Sequence, residues 1–131
     1  CDLNHVNSTS IKIAFKNIEN LYTVTDSIFT CGMKNGEYKF FNSLVKKQNN
    51  KVFLKGSNIL AGSVIDMHTT FLNLVNIGYN LNEAVQLTSY NAAKYLNNNQ
   101  IGNIKKNKIS NFIILNQNLE IKSIYLNGKN L

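Results

Sequence analysis

The stretch "LYTVTDS", residues 21–27, decides how the rest of the chain is read. Leu21, Tyr22, Thr23, Val24 and Thr25 are the aromatic, aliphatic and β-branched residues that suit a buried, pleated strand. Asp26 follows at once, with no turn residue between strand and charge. Only three aspartates exist in the chain, and one stands at the tip of its most strand-like early segment. Two explanations are open at this point. An aspartate at a strand end commonly caps or closes a turn. Alternatively, it is a catalytic carboxylate at the carboxyl end of a barrel strand, the end where barrel enzymes keep their chemistry.

Upstream, "TSIKIAFKNIEN" (9–20) places Ile11, Ala14, Phe15 and Ile18 on one face, the spacing of an amphipathic helix. Downstream, residues 36–60 break into short alternating or β-rich pieces separated by Gly and Asn, which predicts two or three antiparallel strands. At "GSVIDMHTTFLNLVNIG" the period becomes helical, with Ser63 and Asp66 as an N-terminal capping pair and Gly78 as the left-handed stop. A second helix opens with Asn80 and Glu83 and is expected to break or bend near Ser89–Asn91, leaving "AAKYL" as a short helical tail. Asn97–Asn99 reads as a connector. Beyond it "KISNFIILN" and "LEIKSIYLNG" predict strands, with Asn127-Gly128 as a hairpin turn.

Composition sets the outer limits. A chain of 131 residues suffices for one modest domain. No run of about 18 apolar residues exists, so no membrane partner is expected. No charged-then-apolar leader is visible. The first residue is Cys1 rather than methionine, and the true start is expected upstream. Cys1 and Cys31 make no disulfide framework, which fits a reduced, cytoplasmic setting. The net charge of +7 invites a nucleic-acid partner, but all fourteen basic residues are lysines, scattered and without interleaved aromatics. Nucleic-acid binders concentrate charge on one face and recruit arginine, so none is expected. Abundant Asn, Lys and Ile without Arg, Pro or Trp is what an AT-rich genome would encode.

The order helix, strand, β excursion, helices, strands is an α/β layout. A complete parallel barrel takes roughly 250 residues, and "CDLNHVN" reads as a loop whose preceding strand is cut away. The chain therefore reads as the back half of a larger fold.

Several segments, in order, resemble the C-terminal part of the N-acetylglucosamine-6-phosphate deacetylases, a metal-dependent family of the amidohydrolase superfamily. "CDLNHVN" is similar to that family's A-D-G-x-H-V segment, keeping Asp2, His5 and Val6. "LYTVTDS" is similar to its L-V-T-D-A strand end, and "NILAGSVIDM" to its T-L-A-G-S-x-L-T-M. "NLVNIGYNLNEAVQLTSYNAAKYL" follows its N-P-A helix pair, with Ala92 in place of the proline. The tail "IGNIKKNKISNFIILN" follows its L-G-x-I-x-x-G-K-x-A-D-L pattern, with Asn107 for a glycine and Ser110-Asn111 for the Ala-Asp pair.

The resemblance implies the C-terminal portion of a TIM (β/α)8 barrel over residues 1–98, carrying the antiparallel excursion at 36–60. Residues 99–131 would supply strands of a small β-sandwich domain. It implies a catalytic role for Asp26, substrate binding by His5 and Asp2, and backbone contact with substrate from the Leu60, Ala61 and Gly62 loop. The helix opening at Ser63 would place a positive dipole end behind that loop. It also implies a divalent metal, zinc or iron-type, whose ligands lie N-terminal of this chain, so that no metal ligand is assigned here and the chain alone is expected to be inactive. The implied substrate is a small sugar phosphate, and the implied full-length assembly a homodimer or homotetramer. His68, on the apolar helix face, and Cys31 are read as structural. The competing readings are an inactive truncated remnant or binding module of the same fold, and a sibling amidohydrolase acting on another amide.

Overall fold

The computed structural model describes all 131 residues. Helix α1 (Ser8–Asn17) opens at Asn7, whose side chain accepts from the Ser10 N–H at 2.9 Å. Ile11 faces the core, and Phe15 meets Tyr79 edge-on at 4.9 Å between ring centres. The helix ends before the expected position 20, so Ile18 leaves its face in extended backbone and is exposed.

The expected strand at 21–25 is extended but forms no ladder. On one side it meets helical backbone, with the Thr23 N–H donating to Leu87 O at 2.8 Å and the Asn91 amide donating to Leu21 O. On the other side only Ser27 pairs, in parallel, with Ser63. A ladder needs a second strand along its length, and beyond these contacts the backbone of the segment meets only the Cys1 amine, at Val24 O.

Strands β1 (Gly36–Phe40), β2 (Ser43–Gln48) and β3 (Lys51–Leu54) form an antiparallel meander in that order, closing at Phe40↔Ser43 and Gln48↔Lys51. Residues 59–61 run back along β3, with the Ala61 N–H donating to Val52 O at 2.9 Å. Alternation on β2 turns Val45 and Lys47 inward. Val45 packs with Val52 and Val64 in a small core, whereas Lys47 is buried and donates from Nζ to Met33 O.

Helix α2 (Met67–Asn76) begins three residues later than the Ser63 capping pair predicts. The reason is backbone commitment: Ser63 is held in the bridge to Ser27, so the chain stays extended through buried Val64 and Ile65. Asp66 becomes the N-cap and accepts from the Thr69 N–H at 2.7 Å. Asn80 and Glu83 do form both halves of a capping box on α3 (Leu81–Val85). Where a break or bend is expected near 89–91, the irregularity is a π-helical turn, Gln86–Tyr90, that runs without a break into α4 (Asn91–Tyr95). There the Asn91 N–H reaches back five residues to Gln86 O, and Thr88 donates from Oγ1 to Ala84 O at 2.7 Å. Ala92 carries the N–H that a proline would lack, so nothing forces the helix to stop.

The tail forms a second antiparallel sheet of β4 (Phe112–Leu115), β5 (Ile121–Leu126) and β6 (Lys129–Asn130). Asn127 and Gly128, at φ +52° and +78°, make the expected turn. Leu115 and Leu119 pack onto the main core of Ile11, Phe71, Leu74, Tyr79, Ala84 and Leu87. Only 15 of 131 residues are buried, while Ile113, Ile114, Ile121, Ile124 and Leu126 of the tail sheet stay exposed. The apolar faces outnumber the core that covers them.

Two stability tests follow from the caps and the loop. Gly62 sits at φ +115°, and an added Cβ would stand 2.7 Å from Ile28 Cγ2. Gly62→Ala is expected to destabilise by about 1 kcal/mol or more. Gly56→Ala, at φ +78° with nothing within 4 Å, should cost clearly less when denaturant midpoints are compared. The Asp66 carboxyl is held below its ordinary range by its hydrogen bonds from Thr69. A depressed folded pKa contributes stability above the unfolded value of 3.8, lost as pH falls through the folded one. Wild-type melting temperature should therefore drop below about pH 4, and Asp66→Asn should flatten that drop in a pH series of thermal melts.

Candidate active site

The N-terminal loop is fastened across the extended segment. The Cys1 amine donates to Val24 O at 2.9 Å, and Asn73 of α2 donates from Nδ2 to Cys1 O at 3.1 Å. This brings the Cys1 end of the loop, next to Asp2, close to Asp26. The Asp2 side chain is 7% exposed and fully used. Its Oδ1 accepts from the N–H groups of Asn4 and His5, each at 3.1 Å, and its Oδ2 lies 2.8 Å from His5 Nδ1. Burial pushes the Asp2 carboxyl up, but the hydrogen bonds from the His5 ring and the two N–H groups outweigh it and hold it below the usual range. His5 is the exposed member of the pair.

Asp26 adopts the left-handed region, φ +52°, which Asp tolerates better than most side chains. Its backbone is clamped. Asp26 O accepts from the Ser63 N–H at 3.2 Å, the Ile28 N–H donates to Ser63 O at 2.9 Å, and Ser27 donates from Oγ to Ile65 O. The Ser27 N–H goes to Thr25 Oγ1, not to Asp26. The Asp26 side chain therefore caps no turn. It is exposed and forms no ion pair, leaving a carboxylate free at the end of a rigid segment.

Of the loop Leu60–Gly62, Leu60 pairs with Phe53 and Ala61 has given its N–H to Val52. That donor is spent inside the sheet. Gly62 approaches Asp26 most closely; a Cβ there would lie 3.9 Å from Asp26 O. The expected helix dipole behind this loop is absent, because α2 starts at Met67 and its first turn faces the Asp66 carboxylate.

No three His, Cys, Asp or Glu side chains gather anywhere in the chain. A metal centre draws on about three or four protein ligands, so Asp26 with its surroundings does not hold a metal alone. Cys1 and Cys31 are free thiols. His68 lies on α2 as expected, its Nε2 2.7 Å from Leu119 O. It borders an apolar cavity of about 510 Å³ between α2 and the tail sheet, lined by Phe71, Ile104, Phe112 and Tyr125. None of Asp2, His5, Asp26 or Gly62 reaches that cavity. Ser27 and Asn73 emerge as positioning residues that sequence reasoning missed. Ser27 could have been suspected from its place after Asp26, but nothing local marks Asn73.

The model of the family described as "Amidohydrolase family" matches residues 5–131. An N-acetylgalactosamine-6-phosphate deacetylase of Shewanella sp. (strain ANA-3) is 27% identical over 98% of this chain and 33% of its own length. An N-acetylglucosamine-6-phosphate deacetylase of Bos taurus is 23% identical over 95% of the chain and 31% of its own. The chain thus spans about a third of the length of the curated relatives it matches. Among solved structures, the N-acetylglucosamine-6-phosphate deacetylase of Pasteurella multocida superposes with a TM-score of 0.91 at 24% identity, over 99% of this chain and 35% of that one. That of Thermotoga maritima superposes at 0.88 and 24% identity, over 99% and 36%. The mixed helix-and-strand fold described above is thus shared with these deacetylases along nearly all of its length. With the family model matched from His5 to the last residue, the chain belongs to the amidohydrolase family.

Proposed function

We propose that the chain forms the C-terminal part of a metal-dependent enzyme that deacetylates N-acetylglucosamine 6-phosphate to glucosamine 6-phosphate and acetate. The observation that carries this is the Asp26 carboxylate, free of protein partners on backbone pinned from both sides. Amide hydrolysis adds a water to the acetyl carbonyl, breaks the C–N bond and must protonate a poor leaving amine. A fixed carboxylate accepts the proton of the attacking water and delivers it to the nitrogen as that bond breaks, base first and acid afterwards. His5, on the loop that Cys1 fastens to Val24 O, would bind the sugar phosphate. Gly62 allows substrate to approach closely. The divalent metal, zinc or iron-type, would take its ligands from polypeptide outside these 131 residues.

In this proposal residues 1–98 close a (β/α)8 barrel and residues 99–131 contribute to a small β domain. The extended segment 21–27 lacks lateral strands, and the tail sheet exposes apolar residues with no proline to blunt an edge. Both features are those of a piece that pairs with further chain. A cytoplasmic homodimer or homotetramer is the expected setting. A second substrate, the 4-epimeric N-acetylgalactosamine 6-phosphate, is favoured by the name of the Shewanella relative.

The test is acetate release from both sugar phosphates by the protein expressed with its upstream reading frame, and by the 131-residue chain alone. Activity is expected only in the longer protein. There Asp26→Asn should lower kcat by ~10²–10⁴-fold with KM nearly unchanged, since the amide keeps the shape but cannot carry the proton. Half of wild-type turnover in that variant, or activity in the short chain, would overturn the assignment.

A further inference from the structure

The Asp2–His5 pair has a geometry that a mere substrate-lining segment does not need. Asp2 has one oxygen taken by two backbone N–H groups and the other by the His5 ring, and its side chain is 7% exposed. An ionised carboxylate only accepts hydrogen bonds. The proton in the 2.8 Å contact must therefore sit on His5 Nδ1, which leaves Nε2 as the outward nitrogen, without a partner in the chain. We infer that Asp2 is a positioning residue that fixes the tautomer and orientation of His5, presenting Nε2 to the substrate while touching no substrate itself.

The local chain is built for this. Leu3, at φ +59°, turns the backbone so that Asn4 and His5 both point their N–H groups back at the Asp2 carboxylate. The Asn4 side chain closes the same turn by donating to Asp2 O at 3.0 Å. The Cys1 contacts to Val24 and Asn73 then fasten the Cys1 end of the turn close to Asp26. His68 supplies an internal contrast: its Nε2 lies against a carbonyl, Leu119 O, so Nε2 must carry its proton. The chain's two histidines, His5 and His68, are thus held in opposite tautomers.

The inference deepens the proposed function where it concerns substrate, but its first test needs no activity. In 15N-histidine-labelled protein, assigned with His5→Gln and His68→Gln variants, neutral His5 should show Nδ1–H and His68 Nε2–H. Asp2→Ala should release His5 towards the mixture of an unconstrained ring. Nε2–H at His5 in the wild type, or an unchanged ring in Asp2→Ala, would overturn the assignment whether or not the protein deacetylates anything.

In the active full-length protein, Asp2→Ala should raise KM about tenfold, the loss of one charge-assisted hydrogen bond, with kcat little changed. Asp2→Asn has only one oxygen, which the Asn4 and His5 N–H groups claim, so its NH2 faces Nδ1; it should turn His5 to the Nε2–H tautomer and recover none of that loss. His5→Ala combined with Asp2→Ala should be no worse than His5→Ala alone, because Asp2 acts only through the ring. Multiplying effects in the double variant would instead place Asp2 on the substrate, and an unchanged KM in Asp2→Ala would remove it from binding altogether.

Discussion

The short bridge between residues 26–28 and Ser63 holds the two halves of this structure together. On one side stands the core around Leu74 and Leu87, built by α1, α2 and the helices after it. On the other stands the Val45–Val52–Val64 cluster of the first sheet. Backbone bonds from Ser63 to Asp26 and from Ile28 to Ser63 tie the segment between these cores to the segment that enters α2. The Ser27 hydroxyl adds a third bond to Ile65 O. Each bond is worth only about 1 kcal/mol net, yet together they decide where α2 begins. They also fix where Gly62 must approach and which way Asp26 points.

That constraint positions the site backbone in a molecule whose core is thin. A fully buried Leu or Val contributes ~1.5–3 kcal/mol, and only Leu74, Leu87, Val45 and Val52 among the larger aliphatics reach that state. The candidate residues do not depend on this modest core for their geometry. Asp26 is placed by backbone bonds, and Asp2 by its own tight turn.

The electrostatics follow the same division. Asp2 and Asp66 are both held below the usual carboxylate range because backbone and side-chain donors converge on them. Those two acids have structural partners. Asp26, alone among the three aspartates, keeps its carboxylate free of hydrogen-bond donors from the chain, whereas the chain itself engages the other two.

Much of this was legible in the residues themselves. Alternation in 36–54, the Asn80–Glu83 capping box, the Asn127–Gly128 turn and the left-handed stop at Gly78 all appear where local pattern places them. These signals are short-range, because the side chains and backbone groups involved lie within a few positions of each other. Even Asp26 was marked by its place at the end of "LYTVTDS". Choosing between a turn aspartate and a free carboxylate was beyond any local pattern, since that depends on where neighbouring N–H groups go. Ser63 reads as a cap in sequence and becomes a bridge only because residues 26–28 need its backbone. The joining of the Asp2–His5 turn to the Asp26 segment runs through contacts 23 and 72 positions apart, Cys1 to Val24 and Asn73 to Cys1. Periodicity encodes which face of an element is apolar; partners so distant along the chain are selected only when those faces pack.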